Sequence, residues 1–210
     1  MIDDEAAQPR AGAAAKWTAL AVLVAATIAL GTFERLGWLR PTHVSFRGDL
    51  QRESQFLAQF GQAACTVIVV LLIWLLDPSN RRRILPLVAA VILAAIAATV
   101  IKHATGRVRP GFEPAGHFLG PSLHWPASHQ SFPSAHTAAA VALAFGLSRL
   151  YPRGAPVFWA LALICALLRF IYDAHWLSDI VAGVIVGYLC ALLAWHFTDK
   201  RAAHELSLRS

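Results

Sequence analysis

An all-α, polytopic membrane protein, six transmembrane helices in a bundle with both termini cytoplasmic, is the fold class the sequence predicts, on three observations. Of 210 residues, 57% are hydrophobic and only 14% charged, a balance that departs from a soluble domain in the direction a bilayer demands. Apolar runs recur at about the length needed to cross roughly 30 Å of hydrocarbon. Lys and Arg are shared unequally between alternate connections, as they are when short cytoplasmic loops carry the excess.

Residues 1–16 are polar, alanine-rich and aperiodic, and read as a disordered cytoplasmic tail. The first apolar run, Trp17 to Phe33, is a spanning helix; the acidic start Asp3-Asp4-Glu5 opposes reading it as a cleaved signal peptide. Residues 34–55 mix charges with Trp38, Phe46 and Leu50, which suits a loop or a short helix lying at the interface. A second span runs from Phe56 to Leu76 and stops at Asp77-Pro78-Ser79-Asn80, followed by the basic cluster Arg81, Arg82 and Arg83. The third, Ile84 to Ile101, delivers Lys102 to the far surface, where residues 103–132 form a long loop rich in Gly, Pro and His; loops of that length are usually functional or disordered. In the fourth, Ser134 to Tyr151, only Ala138 to Leu147 is unbroken apolar sequence, the pattern of a helix whose polar first turn faces a site. The fifth covers Pro156 to Tyr172 and the sixth Trp176 to Phe197, so the membrane domain occupies residues 17–197 and residues 198–210 form a second cytoplasmic tail.

The two tails and the connections at 77–83 and 149–155 hold ten of the eighteen Lys and Arg. Of the remaining eight, Lys102, Arg109 and Arg169 belong to polar blocks with another reason to be there. The protein is therefore expected in the cell inner (plasma) membrane, with those blocks on the extracytoplasmic face. The net charge of +6 does not mark a nucleic-acid binder, because the basic residues neither line a continuous face nor alternate with exposed aromatics. Cys65, Cys165 and Cys190 all lie in apolar runs and read as small hydrophobes. Histidines 103, 117, 124 and 129 lack tight ligand spacing with carboxylates or thiolates, so no metal or other cofactor is expected. Gly183 and Gly187 form a small-x-x-x-small pair, read as a helix-packing face.

Chemistry concentrates in three blocks: Lys102 to Pro110, Phe132 to Thr137, and Arg169 to Asp179. Ionisable groups beside membrane spans are costly and carry function by default, and alternating spans bring Lys102, Arg109, His136, Arg169, His175 and Asp179 to one face. Three fixed cations with no carboxylate cluster for a divalent metal imply a highly charged anion, and guanidinium forks match phosphate. Ser134 is a good N-cap, the free N–H groups of the helix's first turn make an anion cradle, and small Ala135 lets backbone approach closely. His175 and Asp179 share a helix face at four residues' spacing, so the carboxylate holds one ring nitrogen while the other presents its lone pair. His175 is then a candidate nucleophile, and His136, from another helix, a candidate proton donor. Arg107 reads as a solvated loop charge, close enough to Arg109 for a second phosphate contact.

Lys102 with six residues before Arg109-Pro110, then Pro133-Ser134-Ala135-His136, then Arg169 with five residues before His175 and three more before Asp179, resembles the three-part signature of the type 2 phosphatidic acid phosphatase superfamily. That group also contains vanadium-dependent haloperoxidases and bacterial acid phosphatases. The resemblance implies His175 as nucleophile, Asp179 as its orienting partner and His136 as general acid. It implies Lys102, Arg109, Ser134, Ala135 and Arg169 as the phosphate-binding set, without a metal. Two positions depart from the pattern: Ala135 stands where the family usually has Gly, and Leu168 where it usually has Ser. The first preserves the cradle if φ stays negative; the second removes a hydroxyl and is expected to alter affinity rather than abolish chemistry. The implied activity is removal of a terminal phosphate from a membrane lipid phosphate or diphosphate through a phosphohistidine. Undecaprenyl diphosphate, phosphatidylglycerol phosphate, phosphatidate and a lipid A phosphate all fit. A haloperoxidase and a non-catalytic lipid-phosphate binder or transporter are the alternatives, and the oligomeric state is not legible.

Overall fold

A computed structural model describes residues 8–39 and 46–207. Among the described residues the ordered elements are helical: α1 (Gln8–Arg35), α2 (Gly48–Leu57), α3 (Ala63–Leu76), α4 (Ile84–Thr105), α5 (Ala135–Leu150), α6 (Ala155–Ile171) and α7 (Leu177–Ser207). The long connection between α4 and α5 carries a single isolated bridge, Arg107 to Phe118, and no strand.

Packing follows small residues at helical spacing. On α4, Ala90, Ala94 and Ala98 are fully buried at intervals of four and Lys102 continues their line, so the lysine is carried on the inner face of the helix. On α7, Asp179, Gly183, Gly187 and Ala191 form the matching stripe. A Cβ added at Gly187 would lie 2.2 Å from the carbonyl oxygen of Ala138, an approach that only glycine permits. The expected packing face is real, and its partner is α5. That alanine-rich helix is almost wholly buried between α4, α6 and α7, while α1 lies along the outside of α7. The outward faces remain apolar and exposed, with Val67, Leu71 and Leu75 on α3, Ile92 and Ile96 on α4, and Leu163 and Leu167 on α6. Apolar cover on every outward side is what lipid, rather than water, stabilises.

Among the described residues, four stretches are long and apolar enough to cross a bilayer: Trp17–Arg35, Pro78–Thr105, Pro152–Ile171 and Leu177–Lys200. A fifth results if Gly48–Gly61 and Ala63–Leu76, bent by 68° against one another, count as one span. The expected second span, Phe56 to Leu76, is thus not one straight helix. The chain breaks at Gly61, where a Cβ would stand 2.2 Å from the carbonyl oxygen of His136. The fourth expected span is α5, whose 16 residues reach only about 24 Å at 1.5 Å per residue, short of a full crossing. The expected tails also differ. α1 begins at Gln8, so residues 8–16 are helical, and α7 takes in residues 198–207; residues 1–7 and 208–210 lie outside the described residues. The expected short interfacial helix is α2, and the three cysteines are free thiols.

Candidate functional site

The C-terminal end of α4, the first turn of α5, the last turn of α6 and the first turn of α7 meet at one end of the bundle, under the loop 106–134. Their main chains lock together. Ser134 N–H donates to the carbonyl of Asp179 at 3.0 Å, and the N–H groups of Ala174 and His175 both donate to the carbonyl of Arg169, at 3.1 and 3.2 Å. The five-residue interval between Arg169 and His175 is therefore a closed turn, with Asp173 at φ 52°. Ser134 caps α5 as expected, its buried Oγ accepting from Thr137 N–H at 3.4 Å and from Thr137 Oγ1 at 3.0 Å. Ala135 opens that helix without a positive φ, the condition under which Ala can replace Gly there.

Lys102 and Arg109 converge on one acceptor. The carbonyl oxygen of Gln130 receives Lys102 Nζ at 2.5 Å and Arg109 Nη2 at 3.4 Å. Arg109 also donates through Nε to Ala127 O at 2.9 Å and through Nη1 to Ala174 O at 3.1 Å, one residue before His175. Arg169 brings a buried Nε that no described group accepts. His136 is half-buried and lies within electrostatic reach of Arg169, Lys102 and Arg109. The structure thus brings Lys102, Arg109, Ser134, Ala135, His136, Arg169, His175 and Asp179 to one place, while Leu168 is buried in α6.

The His175 ring is enclosed, with Nδ1 directed at Asp179 Oδ2 across 3.5 Å, longer than a hydrogen bond. Nε2 is consequently the nitrogen turned away from the carboxylate. Burial pushes the imidazole down to about 4 from its ordinary value, against the pull of Asp179 and with Lys102 and Arg109 adding to the depression. A neutral ring with a lone pair is the form such surroundings favour.

Asp179 itself is held from behind by residues that sequence reasoning did not assign. Its Oδ2 accepts from Ser131 Oγ at 2.5 Å and from Trp176 N–H at 2.9 Å, and its Oδ1 from Arg107 Nη1 at 2.5 Å. Arg107 is not a solvated loop charge and makes no second phosphate contact: it is 0% exposed. Its Nη2 pairs with Glu34 at 2.9 Å, and Nη1 also donates to Ser178 Oγ at 2.6 Å. Its guanidinium lies 4.9 Å from the ring centre of Phe118 and 5.6 Å from that of Trp176. Glu34 ends α1 fully buried, accepting from Ser178 N–H at 3.1 Å and bonded to Ser178 Oγ. A signal for Glu34 existed, since it closes an apolar spanning run where a carboxylate is costly. Among the described residues, no group of three or more His, Cys, Asp or Glu is arranged to hold a metal ion.

Comparison with known proteins gives consistent likenesses. A family profile described as the PAP2 superfamily matches residues 83–203, more than half of the chain. Proteins described as lipid A 1-phosphatase are similar in sequence: that of Rhizobium etli is 32% identical over 108 residues, covering 51% of this chain and 47% of its own. That of Rhizobium johnstonii is 32% identical over 104 residues, 49% of this chain and 43% of its own. The chain spans about half the length of the curated relatives it matches. Two crystal structures share the fold. Aquifex aeolicus LpxE superposes with a TM-score of 0.59 at 20% identity over 71% of this chain and 88% of that one. A transmembrane PAP2-type phosphatidylglycerolphosphate phosphatase from Bacillus subtilis gives 0.56 at 18% identity over 88% and 94%.

Proposed function

Since the chain belongs to the PAP2 superfamily, we propose that it is an integral membrane lipid phosphatase that removes the terminal phosphate of a lipid phosphate or diphosphate without a metal ion. The observation that carries this reading is the convergence of Lys102 and Arg109 on a single oxygen acceptor, with Arg109 also bonded to the carbonyl of Ala174, the residue before the enclosed His175. A phosphate oxygen in place of the Gln130 carbonyl meets the same two donors, and Arg169 brings a guanidinium with an unused Nε.

In this reading His175 Nε2 attacks phosphorus in line as the P–O bond to the lipid breaks, and His136 gives a proton to the departing oxygen. Water then attacks the phosphohistidine, His136 takes its proton, and the P–N bond breaks to release inorganic phosphate. Lys102, Arg109 and Arg169 stabilise charge spread over the non-bridging oxygens, with the first-turn N–H groups of α5 behind Ser134 and Ala135. In this reading the bent pair α2–α3 and α5, short as it is, each count as a crossing, so six crossings leave both termini on one side; the excess of Lys and Arg assigns that side to the cytoplasm and the site to the extracytoplasmic face of the inner membrane. The curated relatives' descriptions make a lipid A 1-phosphate the first substrate to test, beside phosphatidylglycerol phosphate, undecaprenyl diphosphate and phosphatidate.

Purified protein is expected to release phosphate from at least one of these four lipids in the presence of EDTA, and His175→Ala to abolish release. Turnover that EDTA removes, or that survives His175→Ala, overturns the mechanism. Binding of the lipids without turnover identifies the non-catalytic alternative.

A further inference from the structure

We propose that Glu34 and Arg107 are positioning residues of the catalytic centre, so that α1, which lies outside the matched family region, is part of the machinery that holds Asp179 against His175. The inference rests on the phosphatase reading above and concerns how its nucleophile is supported.

The geometry is a relay of buried charge. Arg107 uses different guanidinium nitrogens for the two carboxylates, Nη1 for Asp179 at 2.5 Å and Nη2 for Glu34 at 2.9 Å. Side-chain exposure is 0% for Arg107 and Asp179 and 1% for Glu34. Ser178, on the first turn of α7, bonds to both Glu34 and Arg107. None of these groups reaches solvent, and the hydrogen bonds of Glu34 and Arg107 run to one another, to Asp179, to Ser178 and to Gly116 rather than to Lys102, Arg109 or Arg169, so phosphate binding does not explain them. Three ionised groups in a dry site are costly, and a pair of apolar residues would anchor α1 to α7 at less cost.

Charge balance supplies the reason. With Arg107 bonded to Asp179 alone, the pair is neutral and offers little to an imidazole that must carry positive charge once phosphorylated. Glu34 takes up half of the guanidinium, and the cluster carries one net negative charge beside His175. The other charged groups that act on that ring are Lys102 on α4 and Arg109 in the loop, and His136 on α5 and Arg169 on α6 lie within reach of the same two cations. Arg109 and Arg169 are permanent guanidinium cations, and Lys102 adds an ammonium beside them. The negative surplus behind Asp179 is the counterweight to that wall.

The test is Glu34→Gln in the full-length chain, purified in detergent and assayed on whichever of the four lipids wild type hydrolyses fastest. The amide keeps the shape and one acceptor oxygen, which can stay on Arg107 and Ser178 Oγ, but it removes the charge and the acceptor for Ser178 N–H. We expect kcat to fall about tenfold with KM changed less than about twofold. The acid-limb midpoint of kcat/KM should move down by about half a pH unit, since a more positive setting disfavours the imidazolium. Glu34→Asp, which restores the charge, should restore the midpoint. A merely structural role lowers thermal stability and the fraction of active protein but leaves the midpoint and per-site kcat alone; that result overturns the inference. Wild type inactive on all four lipids, or His175→Ala as active as wild type, overturns the phosphatase reading and this inference with it. An active wild type, a dead His175→Ala and an unaltered Glu34→Gln sink this inference alone.

Discussion

Arg107 and Arg109 sit two residues apart in one loop and do opposite work. Arg109 is half-buried and spends its donors on three backbone carbonyls, Ala127, Ala174 and Gln130, partners it can exchange for an anion without stranding a charge. Arg107 is enclosed by Phe118, Phe132 and Trp176 and is the cation that ion-pairs directly with the two buried carboxylates, Glu34 and Asp179. Val108 between them is itself fully buried, with its carbonyl taken by Trp176 Nε1. Simple alternation would set residues two apart on one face, so the contrast lies in the partners: Arg109 reaches the loop and Ala174 carbonyls beside Lys102, and Arg107 turns to the support behind Asp179.

The largest expected effect breaks that contrast directly. Arg107→Ala leaves Glu34 and Asp179 buried without their cation, a loss of about 3–5 kcal/mol, and should appear as a large drop in the thermal midpoint in detergent. Arg109→Ala should leave the midpoint much closer to wild type, because water can reach the freed carbonyls, yet raise KM and cut kcat/KM by about a hundredfold or more. Equal destabilisation by the two substitutions would dissolve the distinction. A smaller effect is expected of Ser131→Ala, which removes a buried donor to Asp179 Oδ2. A hydrogen bond to a charged group is worth about 1.5–3 kcal/mol, so the thermal midpoint should fall by less than for Arg107→Ala. An unchanged midpoint would mean that the serine contributes nothing to holding the carboxylate.

The gathering of charged residues at one end of the bundle was legible in sequence, and the support behind Asp179 was not. Lys102, Arg109, His136, Arg169, His175 and Asp179 announced themselves because each is a polar residue placed at a helix end or a motif spacing, where the cost of burial demands a reason. Arg107 carries no such mark. Its burial depends on Phe118 and Phe132 folding over it and on Glu34 arriving from a helix more than seventy positions earlier. The bend between α2 and α3 was hidden for a related reason. Phe56 to Leu76 reads as one apolar run, and it breaks because Gly61 must pass close to the His136 carbonyl, a contact that only the assembled bundle creates. The stripes of α4 and α7 were half visible: Gly183 and Gly187 gave the packing face, but not that it continues Asp179 inward to α5.

The smallest effect concerns pH, and it separates the two regions by sign. His175 sits at about 4, below the value near 6.5 of an ordinary histidine. As pH falls from about 6.5 towards 4, the unfolded chain takes up a proton at this position that the folded chain refuses, so folding stability declines across that window. Activity should follow a different course. Attack needs the neutral ring, and the fold keeps it neutral well below 6.5, so the acid limb of kcat/KM, corrected for the substrate's own phosphate ionisation, should lie below 6.5. Thermal midpoints that fall over an interval in which corrected kcat/KM holds steady would trace both behaviours to the same buried imidazole. A corrected acid limb at or above 6.5 would mean that Asp179 outweighs burial and the cationic wall. The charge cluster behind it would then govern His175 more strongly than the enclosure does.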